Sequence, residues 1–271
     1  MACRLVIASQ KGGVGKTTVS LNLSVALAER GRRTLLCDLD PQGGVGLSLA
    51  KGDEDLAGLA DLLMERVAPD AALLRTKLPG LSLLPRGRLD AADVCEFEQA
   101  LYSPGVLEGA LARVEGGADL VVLDTPSGLG LITHAALAVA DFVLVPFQTG
   151  SLALRSVGQV LRAVEHIRSR ENPRLRLLGI LPTMVEKAEA GSLAVLGELW
   201  NGFPAVLDSI VPYARSYARA SERGLPVGFL AGRTSPEARR FALLAEEVET
   251  LIARAAGEEE ADETRPAHEL I

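Results

Sequence analysis

Between residues 10 and 18 the chain reads Gln-Lys-Gly-Gly-Val-Gly-Lys-Thr-Thr, directly after the apolar run Leu5-Val6-Ile7-Ala8. These residue types at this spacing can hold phosphate. Glycines let backbone N–H groups turn inward onto phosphate oxygens without Cβ clashes. Lys16 reaches toward terminal phosphates, and the Thr17 hydroxyl can take a divalent cation. A helix starting near Thr17 offers the positive end of its dipole to the same anion. Gly12, Gly13, Val14, Gly15, Lys16, Thr17 and Thr18 thus form the candidate cradle. Lys11 is surplus to it. Five residues before Lys16, at the mouth of the loop, it is poorly placed to reach its own nucleotide and better placed to reach one held by a facing copy.

Two further segments carry carboxylates. Thr34-Leu35-Leu36-Cys37 reads as a buried strand running into Asp38-Leu39-Asp40-Pro41-Gln42-Gly43-Gly44. Alternation along an extended chain places Asp38 and Asp40 on one side, separated by Leu39. Asp119-Leu120-Val121-Val122-Leu123-Asp124 is a second apolar run closed by an acid and a Pro/Gly loop. In a phosphate-loop enzyme one such acid orients the water around Mg²⁺ and another orients the attacking water.

Positioning these groups requires a particular scaffold. Apolar runs at 5–8, 34–37, 81–84, 120–123, 142–145 and 177–181 alternate with helical patterns such as Val19–Arg30, Leu152–Arg170 and Glu237–Ala253. Strand–helix alternation predicts an α/β fold with a doubly wound, mostly parallel sheet, helices on both faces and right-handed crossovers. The carboxyl ends of such strands form the ligand crevice. Residues 56–65 read as an amphipathic helix, and residues 86–105, the least patterned, as a surface excursion. The 271 residues suffice for one such domain, expected over 1–256. An acidic, disordered tail is expected over 257–271.

Together these segments resemble the ParA/MinD family of deviant Walker A ATPases. The resemblance rests on Lys11 to Thr18, on Asp38-Leu39-Asp40-Pro41-Gln42-Gly43 and on Asp124-Thr125-Pro126. It continues through Ala140–Pro146, Leu178–Met184, Ile210-Val211-Pro212 and Ser235–Ala238, and is strongest to the chromosome and plasmid partition branch. It implies an ATP- and Mg²⁺-dependent sandwich homodimer with slow hydrolysis. In that frame Lys11 crosses to the partner's phosphates and Gly12 permits close approach of the two subunits. Residues 11–18 and Pro212 contact nucleotide, Thr17, Asp38 and Asp124 surround the metal, and Asp40 positions water. It also implies nonspecific double-stranded DNA as ligand of the ATP state, and a ParB-like or cargo-adaptor protein that stimulates hydrolysis. Two departures stand out. Thr125-Pro126-Ser127-Gly128 is closer to the MinD style, and Pro212 is followed by Tyr213-Ala214 where the partition branch carries Arg-Asn.

The positive charges have moved downstream. Arg215, Arg219 and Arg223 fall at i, i+4, i+8, one stripe on a helix. Arg233, Arg239 and Arg240 follow, so residues 215–240 hold six Arg against Glu222 and Glu237, a local charge of +4. Such a patch binds phosphate backbones by counterion release without reading bases. The candidate DNA-binding set is Arg215, Arg219, Arg223, Arg239 and Arg240. Tyr213 and Tyr217 are expected to be packing residues. Net charge −7 does not oppose this, because 257–271 carries six acids against Arg265 and leaves the body at −2. That same acidity argues against a membrane anchor, and no apolar run reaches eighteen residues. Cys3, Cys37 and Cys95 are too scattered for a metal or cluster site and fit a reducing cytoplasm. The resemblance implies a nucleoid-associated protein there. The alternatives are a DNA-independent ATPase of the same fold, acting in cargo assembly or MinD-like positioning, and a scaffold that binds nucleotide without turnover.

Overall fold

A computed structural model describes residues 2–47, 56–149, 153–186, 190–203 and 205–257. The chain begins β1 (Cys3–Ile7), α1 (Lys16–Glu29), β2 (Thr34–Asp38) and α2 (Gly44–Leu47). Next come α3 (Leu59–Leu63), α4 (Pro69–Ala72), β3 (Leu74–Arg75), β4 (Leu81–Leu84), α5 (Val94–Tyr102) and α6 (Val106–Val114). The second half holds β5 (Leu120–Asp124), α7 (Leu131–Val139), β6 (Phe142–Gln148), α8 (Ala153–Arg170), β7 (Arg176–Val185) and α9 (Ala190–Gly202). It closes with β8 (Val211–Pro212), α10 (Arg215–Glu222), α11 (Val227–Ala231) and α12 (Pro236–Gly257).

The eight strands form one sheet in the order β3-β4-β2-β5-β1-β6-β7-β8, parallel except for the short edge strand β3. This is the α/β, doubly wound architecture that the alternation of runs predicts. Period-two side-chain placement divides the core between its faces. Leu5, Ile7, Leu36, Leu120 and Val122 pack with α1 and α12 on one face. Val6, Leu35, Cys37, Val121 and Leu123 pack with α5, α6 and α7 on the other. The last residues of β2 and β5 inherit this parity. Asp38 follows Leu36 and Asp124 follows Val122, so both acids fall on the α1 face, paired in register.

Residues 86–105 are not a surface excursion throughout. Within them α5 buries Phe97 and Leu101 against the core. Val94, Phe97 and Leu101 stand at i, i+3, i+7, but the acids between them, Glu96 and Glu98, break up the apolar pattern. The predicted 56–65 helix is shorter, with Leu59 and Leu62 in the core. Strand β7 runs on past residue 181 to Val185. Residues 258–271, most of the expected tail, lie outside the described residues, as does Leu152.

Candidate active site

The phosphate loop leaves β1, the strand flanked by β5 and β6, and re-enters structure at Lys16. Gly13 has φ +73° and Gly15, the residue before α1, has φ +88°. A side chain at either costs roughly 1–2 kcal/mol in that left-handed region. Gly12 is exposed, and a Cβ there would meet the Ser127 side chain, its Oγ at 3.3 Å. Val14 is buried, and its carbonyl accepts from Thr183 Oγ1 at 2.9 Å, which ties the loop to β7. The Ser9 carbonyl accepts from the Gly128 N–H at 3.0 Å, bringing in the loop after β5.

The two lysines diverge. Lys16 is 6% exposed; its Nζ donates to Ser9 Oγ at 3.2 Å and Ser127 Oγ at 3.0 Å. Burial lowers its pKa, opposed by the charges of Asp124 and Asp40. Lys11 is exposed and turns away from this centre, donating to Gln148 Oε1 at the end of β6 at 3.3 Å.

Thr17 and Ser20, one turn apart on α1, both bond Asp124. Thr17 Oγ1 donates to Oδ2 at 2.8 Å and Ser20 Oγ donates to Oδ1 at 2.7 Å. Asp38 lies beside Asp124 and accepts the backbone N–H of Asp40 at 3.0 Å and of Val45 at 2.9 Å. The expected alternation of Asp38 and Asp40 stops short, because β2 ends at Asp38 and the chain turns over its carboxylate. Asp40, half-buried, sits in the following turn with Oδ1 accepting from the Gln42 N–H at 2.9 Å. Its charge reaches both Lys16 and Asp124.

Both buried acids hold protons more tightly than usual. Desolvation is the larger cause for Asp38, followed by the charge of Asp124. Asp124 is pushed up to about 6 by desolvation, although Ser20, Thr17 and Lys16 pull the other way. Among the described residues no group of three His, Cys, Asp or Glu side chains could hold a metal. A cation here must complete its shell with the Thr17 hydroxyl, phosphate oxygens and water, as Mg²⁺ does at phosphate loops.

Pro212 lies on edge strand β8, three strands and about 14 Å from β1 across the sheet. The Thr18 carbonyl accepts from Asn22 Nδ2 at 2.8 Å. The arginines form a separate surface. Arg215 and Arg219 are exposed on α10, and Arg223 is the residue that ends it, so the third member of the stripe falls off the helix proper. Arg239 and Arg240 lie in the first turns of α12, joined to α10 through Ser216 Oγ, which donates to Glu237 at 2.8 Å. Arg233 pairs with Glu29 at 3.2 Å, whereas the five candidates form no ion pair among the described residues. Tyr217 packs edge-on against Phe241 as expected. Tyr213 does not pack, being 57% exposed.

Sequence reasoning missed Ser9, Ser20 and Ser127. Ser20 had a visible cue, standing one helical turn after Thr17. Ser9 and Ser127 come from separate segments, so only the fold joins them to Lys16.

A buried lysine in a glycine loop, a helix N-terminus and two acids at adjacent strand ends define a phosphate-loop nucleotide hydrolase. An AAA domain family matches residues 3–177. The chromosome-partitioning ATPase Soj of Thermus thermophilus is 39% identical over 246 residues, 90% of this chain and 94% of that protein. The chromosome partitioning protein ParA of Caulobacter vibrioides is 36% identical over 227 residues, 82% of this chain and 85% of that one. A solved structure of cobyrinic acid a,c-diamide synthase from Mycobacterium smegmatis, with bound ADP and magnesium, superposes with TM-score 0.74 at 35% identity, covering 91% of this chain and 93% of that one. The chain belongs to the ParA/MinD family of ATPases, in its ParA/Soj partition branch.

Proposed function

We propose that the protein is an ATP-dependent dimerising switch that binds DNA of any sequence in its ATP state and positions DNA or a protein cargo. The observation that carries this reading is the divergence of the two lysines. Lys16 is locked inside the loop, while Lys11 is exposed at its rim with only a weak contact to Gln148. A cation so placed is free to serve a phosphate chain held by a second subunit.

ATP takes the loop from Lys11 to Thr18, with Pro212 toward its far end. Mg²⁺ fits the donor set, because the neighbouring Asp38 and Asp124 carboxylates carry a mutual repulsion that a divalent cation relieves. When bound, the ion neutralises charge developing on the transferring phosphate. Thr17 supplies a ligand, and Asp38 and Asp124 orient the surrounding water. Asp40 aims the attacking water, and the slow basal turnover awaits a ParB-like or cargo-adaptor partner. The exposed arginines of α10 and α12 meet the DNA phosphates. The ATPase domain spans 1–256 and the acidic tail 257–271. No helix among the described residues is long and apolar enough to cross a membrane. A cytoplasmic, nucleoid-associated location goes with the DNA binding proposed here.

A second reading, a DNA-independent ATPase of the same fold, is favoured by the likeness to the Mycobacterium smegmatis protein named as a synthase. Lys11→Ala tests the first reading. It should retain ATP binding as a monomer while losing ATP-dependent dimerisation and hydrolysis, read by light scattering and phosphate release. Dimerisation at the parental nucleotide concentration would remove the cross-subunit role.

A further inference from the structure

The loop that follows β4 reaches under the Asp40 turn. Arg86, half-buried in that loop, donates from Nη1 to the Pro41 carbonyl at 2.8 Å and from Nε to the Gly87 carbonyl at 3.1 Å. No acid lies within ion-pair distance of it among the described residues. Its guanidinium also lies across Gly43, where a Cβ would stand 3.3 Å from Nε and 3.4 Å from Cζ. Gly43 has φ +65°, and at Gly44 a Cβ would stand 3.0 Å from Thr17 Oγ1. The Gly43-Gly44 pair is therefore threaded between Arg86 and the hydroxyl expected to hold Mg²⁺.

The peptide group joining Pro41 to Gln42 is gripped at both ends. Arg86 holds its carbonyl, and the Asp40 carboxylate accepts its N–H at 2.9 Å. A cation on the carbonyl oxygen polarises the amide and makes its N–H a stronger donor to the carboxylate. The loop that presents Arg86 is rigidly braced. Leu59 and Ala60 donate their backbone N–H to the carbonyls of Pro85 and Arg86, each at 2.8 Å. Buried Asp61 accepts from the N–H groups of Gly58 and Arg88 and from Arg88 Nε. Gly58 packs backbone to backbone on Gly87, leaving no room for a Cβ.

We propose that Arg86 is a positioning residue for hydrolysis, aiming Asp40 through the Pro41–Gln42 peptide. This rests on the reading of Asp40 as the group that orients water. The sequence hides Arg86 among the residues with least pattern, and its role follows from the adjacency of β4 and β2.

The test is ATP turnover together with equilibrium binding of a fluorescent ATP analogue. Arg86→Ala should lower kcat about 10-fold, as loss of a group that orients a catalytic one does, with KM and analogue affinity within about twofold. Arg86→Lys should recover part of kcat, since an ammonium can still reach a carbonyl, and it leaves the Asp61 brace intact. Arg86→Ala should add no further loss to Asp40→Ala. Parental kcat in Arg86→Ala, or a parallel loss of kcat and analogue affinity, or no recovery in Arg86→Lys, would overturn the proposal. Normal turnover in Asp40→Ala would instead overturn the assignment of Asp40 itself.

Discussion

The phosphate-loop edge of the sheet and the arginine face of α10 and α12 carry their positive charge in opposite ways. Lys16 is buried, desolvated and held by two serine hydroxyls with acids close by. Arg215 and Arg219 stand exposed, without a paired acid among the described residues. A group that must act on one atom needs a fixed position and a dry surround. A group that meets a polyanion needs only local density of charge. The first kind cannot drift along the chain, whereas the second can.

The comparison can be broken at either region. Lys16→Ala should have the largest effect, weakening ATP binding at least ~100-fold, since a buried charge-assisted contact to phosphate is lost. Calorimetric titration reads it directly, and ATP affinity near the parental value would contradict the loop assignment. On the arginine face, Arg215→Glu with Arg219→Glu should leave nucleotide binding intact. On the proposed reading it lowers the salt slope of DNA binding by about 2, one per phosphate contact removed. An unchanged slope would move the surface elsewhere.

A smaller effect at the phosphate-loop edge is read by pH. Asp124 has its pKa raised from 3.8 to about 6 by burial, so the native state holds a proton that the unfolded chain releases. Its contribution is complete below the unfolded pKa and is lost as pH rises through about 6. Asp119, drawn down to about 2 by Arg33, acts with the opposite sign, but its contribution is already complete above about pH 4. The Tm of the nucleotide-free protein should therefore fall between about pH 4 and pH 6 and level off above that. Nucleotide with Mg²⁺ should flatten that fall. A Tm that rises across the window would contradict the buried-acid account.

What was legible in the sequence follows the same division. The loop, Asp38 and Asp124 were readable because each sits at the end of an apolar run whose parity fixes where its side chain points. The doubly wound, mostly parallel sheet with helices on both faces followed from the alternation of runs, whereas the strand order did not. The α5 helix was obscured by the acids between Val94, Phe97 and Leu101. Ser9, Ser127 and Arg86 were not readable, because each gains its role from a neighbour brought close only by the sheet order. The arginine stripe was legible as charge but not as geometry, since α10 ends at Glu222 and leaves Arg223 beyond the helix.

On the proposed reading, ATP binding at one region switches on polyanion binding at the other. A salt-titrated DNA shift on Asp40→Ala protein, with ATP and with ADP, on DNA of arbitrary sequence decides it. Binding with ATP alone, weakening steeply as salt rises, is the expected result. No binding in either state, with the ATP dimer confirmed by size, would contradict it and leave the arginines a solvated face.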